Sequence, residues 1–280
     1  MGKIKLSVIT YLNTKPFLYG ITHSDLMNSV DLSLDIPSVC ADKLKAGTAD
    51  IGIIPVAEIP NIKGANIVTD FCIAASGKVR TVVLVSQVPL NEIKKIVLDY
   101  QSRTSVQLVR ILVRDYWQFQ PEWQNGGVNY IEEDIKGTTA GVIIGDRVFE
   151  YEDQFPYVYD LGEAWKALTG LDFVFACWVA NKPIAASFVE KFAGALKLGI
   201  VHIPEVIDDY LLRYPDYPFE SYFRENIFYH LDDSKRKGME LFLSRIKEVP
   251  KVPKVLKSRS KLLNNSSLIS HLSYLISHIS

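Results

Sequence analysis

Short apolar runs alternate with longer stretches of helical periodicity along this chain, and polar turns separate them. The clearest case lies at residues 94–112. The apolar run Ile96-Val97-Leu98 reads as a buried strand, and Asp99-Tyr100-Gln101-Ser102-Arg103-Thr104-Ser105 as a turn. Val106, Val109, Leu112 and Val113 then recur at the spacing of one helix face. The same reasoning predicts strands over 3–10, 50–54, 81–86, 95–99, 128–131, 141–144 and 173–180. Helices are predicted over 37–46, closed by Gly47, and over 105–117, 162–168, 185–201, 204–212, 217–231 and 233–246. Strand–helix–strand order implies an α/β fold with parallel pairing. Two lobes fit this order, residues 1–78 with 179–250 and residues 79–178, the chain crossing near 75–80 and returning near 178–182. A ligand cleft would then lie between lobes, at strand C-termini and helix N-termini. Residues 251–280 form a tail in which Leu268, Ile269, Leu272, Leu275, Ile276 and Ile279 fall at helical spacing.

Size and charge narrow the picture further. A chain of 280 residues, 48% hydrophobic, can bury a large core. Its 31 Lys+Arg nearly cancel its 32 Asp+Glu, so no global field favours nucleic acid or a membrane surface. Cys40, Cys72 and Cys177 are far apart in apolar settings and read as buried thiols rather than disulfides or zinc ligands. The first strand begins at once, with no apolar leader before it, and the most apolar later run is too short to span a bilayer; a cytoplasmic protein is expected.

The turn before the 105–117 helix carries the strongest candidate chemistry. Ser102, Thr104 and Ser105 place hydroxyls, and Arg103 a guanidinium, where the first helical N–H groups lack partners. Such a start can hold a carboxylate or phosphate, although Ser and Thr there are also ordinary helix caps. Asn13 and Thr14 follow the first strand, where they either bridge backbone groups across a turn or offer polar atoms to a cleft mouth. Ser76, Gly77 and Arg80 sit at the expected crossing, as a hinge or as cleft-facing groups. Gly145 and Asp146 end a buried strand, with Asp146 a cap or a member of a polar network. Metal-binding, P-loop, dinucleotide and nucleophile-elbow patterns are absent, so no cofactor is expected.

Several blocks in order carry a resemblance: Tyr11-Leu12-Asn13-Thr14-Lys15-Pro16, Ala75-Ser76-Gly77-Lys78-Val79-Arg80-Thr81, Ser102-Arg103-Thr104-Ser105, Ile144-Gly145-Asp146 and Asp160-Leu161-Gly162-Glu163-Ala164-Trp165. From about residue 3 to about residue 248 the chain resembles chorismate dehydratase of the futalosine route to menaquinone. The resemblance implies a type II periplasmic-binding-protein-like fold and loss of water from chorismate to give 3-[(1-carboxyvinyl)oxy]benzoate without a cofactor. It further implies that Asn13 and Ser76 contact the substrate near the leaving hydroxyl; the 102–105 helix start is the expected partner of one substrate carboxylate. Thr14, Gly77, Arg80, Gly145 and Asp146 complete the expected binding set. Tyr100-Gln101 departs from the pattern, which implies a smaller residue before the Ser-Arg-Thr-Ser block.

Two rival readings remain at this stage. The sister enzyme 1,4-dihydroxy-6-naphthoate synthase shares the fold, but its first-strand loop is of the Ser-Pro-Cys-Pro-Asn-Asp type. A non-catalytic small-carboxylate-binding protein is the other, because a binding fold does not itself decide function. The only partner expected is the small-molecule substrate, with a homodimer conceivable through the tail.

Overall fold

The computed structural model describes residues 2–212 and 214–249; the tail expected at 251–280 lies outside them. Among the described residues, eleven strands form two sheets. The first sheet contains β1 (Ile4–Ile9), β2 (Val30–Asp35), β3 (Ile51–Pro55), β4 (Asn66–Ala75), β10 (Phe173–Ala180) and β11 (Phe228–His230). The second contains β5 (Val82–Ser86), β6 (Lys95–Leu98), β7 (Glu122–Asn125), β8 (Thr139–Ile144) and β9 (Tyr157–Asp160). Their orders are β11-β4-β10-β3-β1-β2 and β7-β6-β8-β5-β9. Parallel pairing joins β1 to β2 and β3, and β6 to β7 and β8, while β10 runs antiparallel to β3 and β4. The fold is α/β with two mixed sheets.

Burial explains the central strands. All eight residues of β10 and all five of β3 and β5 are buried, as expected of strands covered on both faces. Around β10, the Trp178 ring meets Phe17 and Phe192 edge-on at 5.7 and 4.9 Å. Cys40, Cys72 and Cys177 are buried free thiols, and burial pushes Cys40 and Cys177 up to about 12. No helix among the described residues is long and apolar enough to cross a membrane.

Several expected elements are corrected. Strand Phe173–Ala180 has the expected bounds but lies wholly in the first sheet, so the chain returns between Asp160 and Phe173 rather than near 178–182. The strand expected at 128–131 is a helix, Tyr130–Asp134; the strand of this region lies earlier, at Glu122–Asn125, and the Gly126-Gly127 pair follows it. Gly126 is required there, because a Cβ would stand 2.7 Å from the Tyr130 ring. The helix expected at 217–231 breaks into Phe219–Ser221, a π-helical turn Tyr222–Asn226, and β11. Helices Pro37–Ala46 and Asp233–Ile246 match expectation, the first ending on Gly47 at φ +72°.

Helices Lys15–Thr22 and Ala186–Val201 meet backbone to backbone on the first sheet. A Cβ on Gly199 would lie 1.6 Å from the Pro16 carbonyl oxygen, and one on Gly20 would lie 1.9 Å from that of Ala195. Gly194, on the same long helix, has open space around it. Gly199→Ala is therefore expected to cost about 1–3 kcal/mol by forcing the helices apart. Gly194→Ala should stabilise by about 0.5–1 kcal/mol through helix propensity. Urea unfolding midpoints of the two variants check both signs.

Candidate functional site

A cavity opens between the two sheets, with about 50 Å³ of free space at its centre. Its wall draws on the turn after β1, the segment joining β4 to β5, the start of helix Thr104–Leu112, the end of β8, and β10. The turn after β1 is a single 3-10 turn, Leu12–Thr14. The Thr14 hydroxyl donates within hydrogen-bond range to the carbonyls of Ile9 (2.6 Å) and Tyr11 (2.8 Å), which locks the turn. Its first amide, Leu12 N–H, donates across to the Asp146 carboxylate at 2.8 Å. Asn13 is thereby left in the cavity wall, half-buried.

Opposite stands the helix start. The Ser102 hydroxyl accepts from the Ser105 amide at 3.0 Å, a cap that satisfies one helical N–H. The Thr104 hydroxyl donates to Phe175 C=O at 3.1 Å and accepts from Ala57 N–H at 3.3 Å, so it holds the helix against the first sheet. Ser102, Thr104 and Ser105 all line the cavity. Arg103 does not; it is exposed and lies 3.6 Å from the exposed Asp42 carboxylate. A surface pair of that kind holds its guanidinium only weakly.

The β4–β5 segment separates the remaining expected residues. Ser76 is exposed, outside the cavity wall, and donates to Asp172 Oδ1 at 2.7 Å. Gly77, at φ +100°, is also outside the wall, with its carbonyl against Gly162. Arg80 has a left-handed backbone, φ +66°, and its guanidinium lies over the Tyr217 ring at 5.2 Å. Asp146 serves the network, as cap of Leu12 and partner of the Tyr210 hydroxyl at 3.2 Å, while Gly145 lines the cavity at φ +67° against the Tyr11 ring. Of the two residues expected beside the leaving group, the structure thus brings Asn13 to the cavity and leaves Ser76 away from it. Thr81, five residues on, does line the wall with Asn13.

Three residues were missed as site candidates: Tyr11, Thr81 and Tyr222. Tyr11 and Thr81 stand within the quoted motifs, so their position was a usable signal. Tyr222 carried none, because it sits in an aromatic run that reads as core. Its hydroxyl lies 3.0 Å from Thr81 Oγ1. Tyr11 lines the cavity and its hydroxyl donates to the Gln101 side-chain carbonyl, while Gln101 Nε2 donates to the Tyr100 hydroxyl at 2.7 Å. Below them Arg147 pairs with the buried Asp99 at 2.5 Å, and Tyr130 donates to the same carboxylate at 3.0 Å. Burial pushes the Asp99 carboxyl up, and the Arg147 guanidinium opposes that rise. Among the described residues, no charged side chain lines the cavity, and no cluster of His, Cys, Asp or Glu suited to a metal ion occurs.

Two mixed α/β sheets, linked by two crossings around a cavity, make this a protein of the periplasmic-binding-protein-like fold. Solved structures agree. A protein of Archaeoglobus fulgidus matches with TM-score 0.71 at 16% identity, over 88% of this chain and 97% of its own. A Candida albicans gene product described as having the generic periplasmic binding protein fold matches at 0.63 and 13% identity, over 95% and 99%. The aliphatic sulphonate binding protein of Escherichia coli matches at 0.54 and 16%, over 90% and 94%. More specifically, residues 4–248 match the menaquinone biosynthesis family, and the chain belongs to it. A chorismate dehydratase of Thermus thermophilus is 26% identical over 194 residues, which are 62% of this chain and 70% of that protein.

The crossings carry a titrating contact. Burial raises the Asp172 carboxyl, but the Lys166 ammonium at 2.8 Å and the Ser76 hydroxyl outweigh it and hold the group below its ordinary value. A depressed carboxylate contributes stability above its unfolded pKa and loses it as pH falls through the folded one. Unfolding midpoints should therefore fall as pH drops through and below the ordinary Asp range of about 4, and fall less steeply in Asp172→Asn. Equal slopes for the two proteins would exclude Asp172 from the acid response.

Proposed function

We propose that this protein is a chorismate dehydratase, eliminating water from chorismate to give 3-[(1-carboxyvinyl)oxy]benzoate in menaquinone biosynthesis. The observation that carries this reading is the cavity itself. It joins Asn13 and Thr81 to a capped helix start, and its wall holds no charged side chain among the described residues.

Each part has a task in the reaction. One substrate carboxylate sits at the start of helix Thr104–Leu112, where the Ser102 and Ser105 side chains and the positive end of the helix dipole favour an anion. The ring C–H at the carbon bearing the ether breaks, and its electron pair becomes a ring double bond. The ring C–OH bond breaks in turn, and hydroxide leaves with a proton as water. The product ring is aromatic, so the step runs downhill and mainly needs positioning.

The substrate's own side-chain carboxylate takes the ring proton. A carboxylate placed among neutral groups in a dry cavity is a stronger base than one paired with a cation, because burial without a countercharge disfavours its ionised form. Asn13 and Thr81 act at the departing hydroxyl, Thr81 taking the role that the resemblance gives to Ser76. The central free space holds only a few waters. We infer that two lobes, each built on one sheet, move apart to admit chorismate and close again over it, hinging at the two crossings. Closure expels water and strengthens every carboxylate contact. The site is read as cytoplasmic and as needing no added cofactor.

Incubation of the purified protein with chorismate alone, followed by chromatography and mass measurement, tests the reading. A product lighter by one water and carrying an aromatic ring is expected. Bound but unchanged chorismate would instead make the protein a small-carboxylate-binding protein. Thr81→Val and Asn13→Ala should each lower kcat about 10²–10³-fold, whereas Ser76→Ala should leave turnover near that of the unaltered protein. The reverse ranking of Thr81 and Ser76 would return the leaving-group role to Ser76.

A further inference from the structure

We propose that Tyr222 is a positioning residue that sets which face of Asn13 and which face of Thr81 the cavity receives. The proposal rests on the dehydratase reading for its chemistry, and on the neighbours of the Tyr222 hydroxyl for its structural part.

Tyr222 stands behind the cavity wall rather than in it, fully buried. Its hydroxyl lies 3.0 Å from Thr81 Oγ1 and interacts with the Asn13 side chain. The neighbouring Tyr229 donates to the Asn13 backbone carbonyl at 2.9 Å, so the Asn13 main chain is fixed independently. Thr81 Oγ1 has one further acceptor in reach, Val79 C=O, at a long 3.5 Å. Burial pushes the Tyr222 phenol well above its ordinary value, so it keeps its proton at any working pH.

One phenolic proton serves two neighbours. Tyr222 can donate to only one of them and must accept from the other. In one direction one N–H of the Asn13 amide is spent on Tyr222, and the second N–H, the Asn13 carbonyl and the Thr81 hydroxyl hydrogen turn to the cavity. In the other, the Asn13 NH2 and a Thr81 lone pair do so. Either way the two groups together offer the cavity both a donor and an acceptor. Loss of water calls for that arrangement. The departing hydroxyl needs a donor, and an acceptor beside it orients that hydroxyl before it leaves.

Tyr222→Phe removes the hydroxyl and keeps the ring that packs edge-on against Phe149 and Phe223. We expect kcat for chorismate to fall about tenfold to hundredfold, with KM and the unfolding midpoint little changed. In a Thr81→Val background the same substitution should add almost no further loss, because the relay is already broken. An unchanged kcat in Tyr222→Phe, or losses that multiply independently in the double variant, would overturn the proposal. A readout free of turnover accompanies it: the Asn13 side-chain amide resonances, assigned by their disappearance in Asn13→Asp. Their hydrogen exchange should be slow in the unaltered protein and faster in Tyr222→Phe. Unchanged exchange would overturn the relay whatever the activity. Faster exchange in a protein that never converts chorismate would support the relay and overturn the dehydratase reading.

Discussion

The two sheets are held in register by one carboxylate. Asp160, at the end of β9, accepts from the amides of Gly162 (2.9 Å) and Glu163 (3.0 Å) and so caps the helix that leads back to the first sheet. The same carboxylate accepts from Val79 (3.0 Å) and Arg80 (2.6 Å) on the outgoing crossing. Four amides from both connections thus converge on one buried group, and the left-handed backbone of Arg80 is tied down by the bond its own amide makes. Ser76, Lys166 and Asp172 add a second tie between the same two connections. Thr81 reaches the cavity because the segment before it is pinned in this way.

The chemistry of the site follows from where charge has been kept out. Arg80 is held over an aromatic ring and Arg147 is matched by Asp99. Arg103 faces Asp42 at the surface. The wall that remains is made of hydroxyls, an amide, a helix start and apolar side chains. An anion bound there would keep its basicity, as the proposed reaction, whose base comes from the substrate, requires. A cationic wall would bind a carboxylate more tightly and leave it a weaker base.

The limits of the sequence reading have a physical pattern. Central strands β3, β5 and β10 were legible because burial on both faces makes them continuous apolar runs. All four edge strands, β2, β7, β9 and β11, escaped it, since an edge position carries polar residues such as Asp31, Glu122 and His230 and blurs the alternation. The tenth strand read correctly as a strand but was divided between lobes, because pattern does not say which neighbours a strand pairs with. Strand β4, central and ten residues long, was also missed; its first half alternates weakly, through Asn66, Thr69 and Asp70.

The same division separates the site. The sequence by itself determined the family-level motifs, the capped helix start at 102–105 and the turn carrying Asn13, since caps and turns are local arrangements of neighbouring residues. Only the tertiary structure decided that Thr81 rather than Ser76 joins Asn13, and that Tyr222 from a distant aromatic segment bridges the two. These contacts span 141 residues between Thr81 and Tyr222 and depend on how two crossings bend. Local composition has no means of recording such a bend, because the angle is set by hydrogen bonds to a carboxylate from elsewhere in the chain.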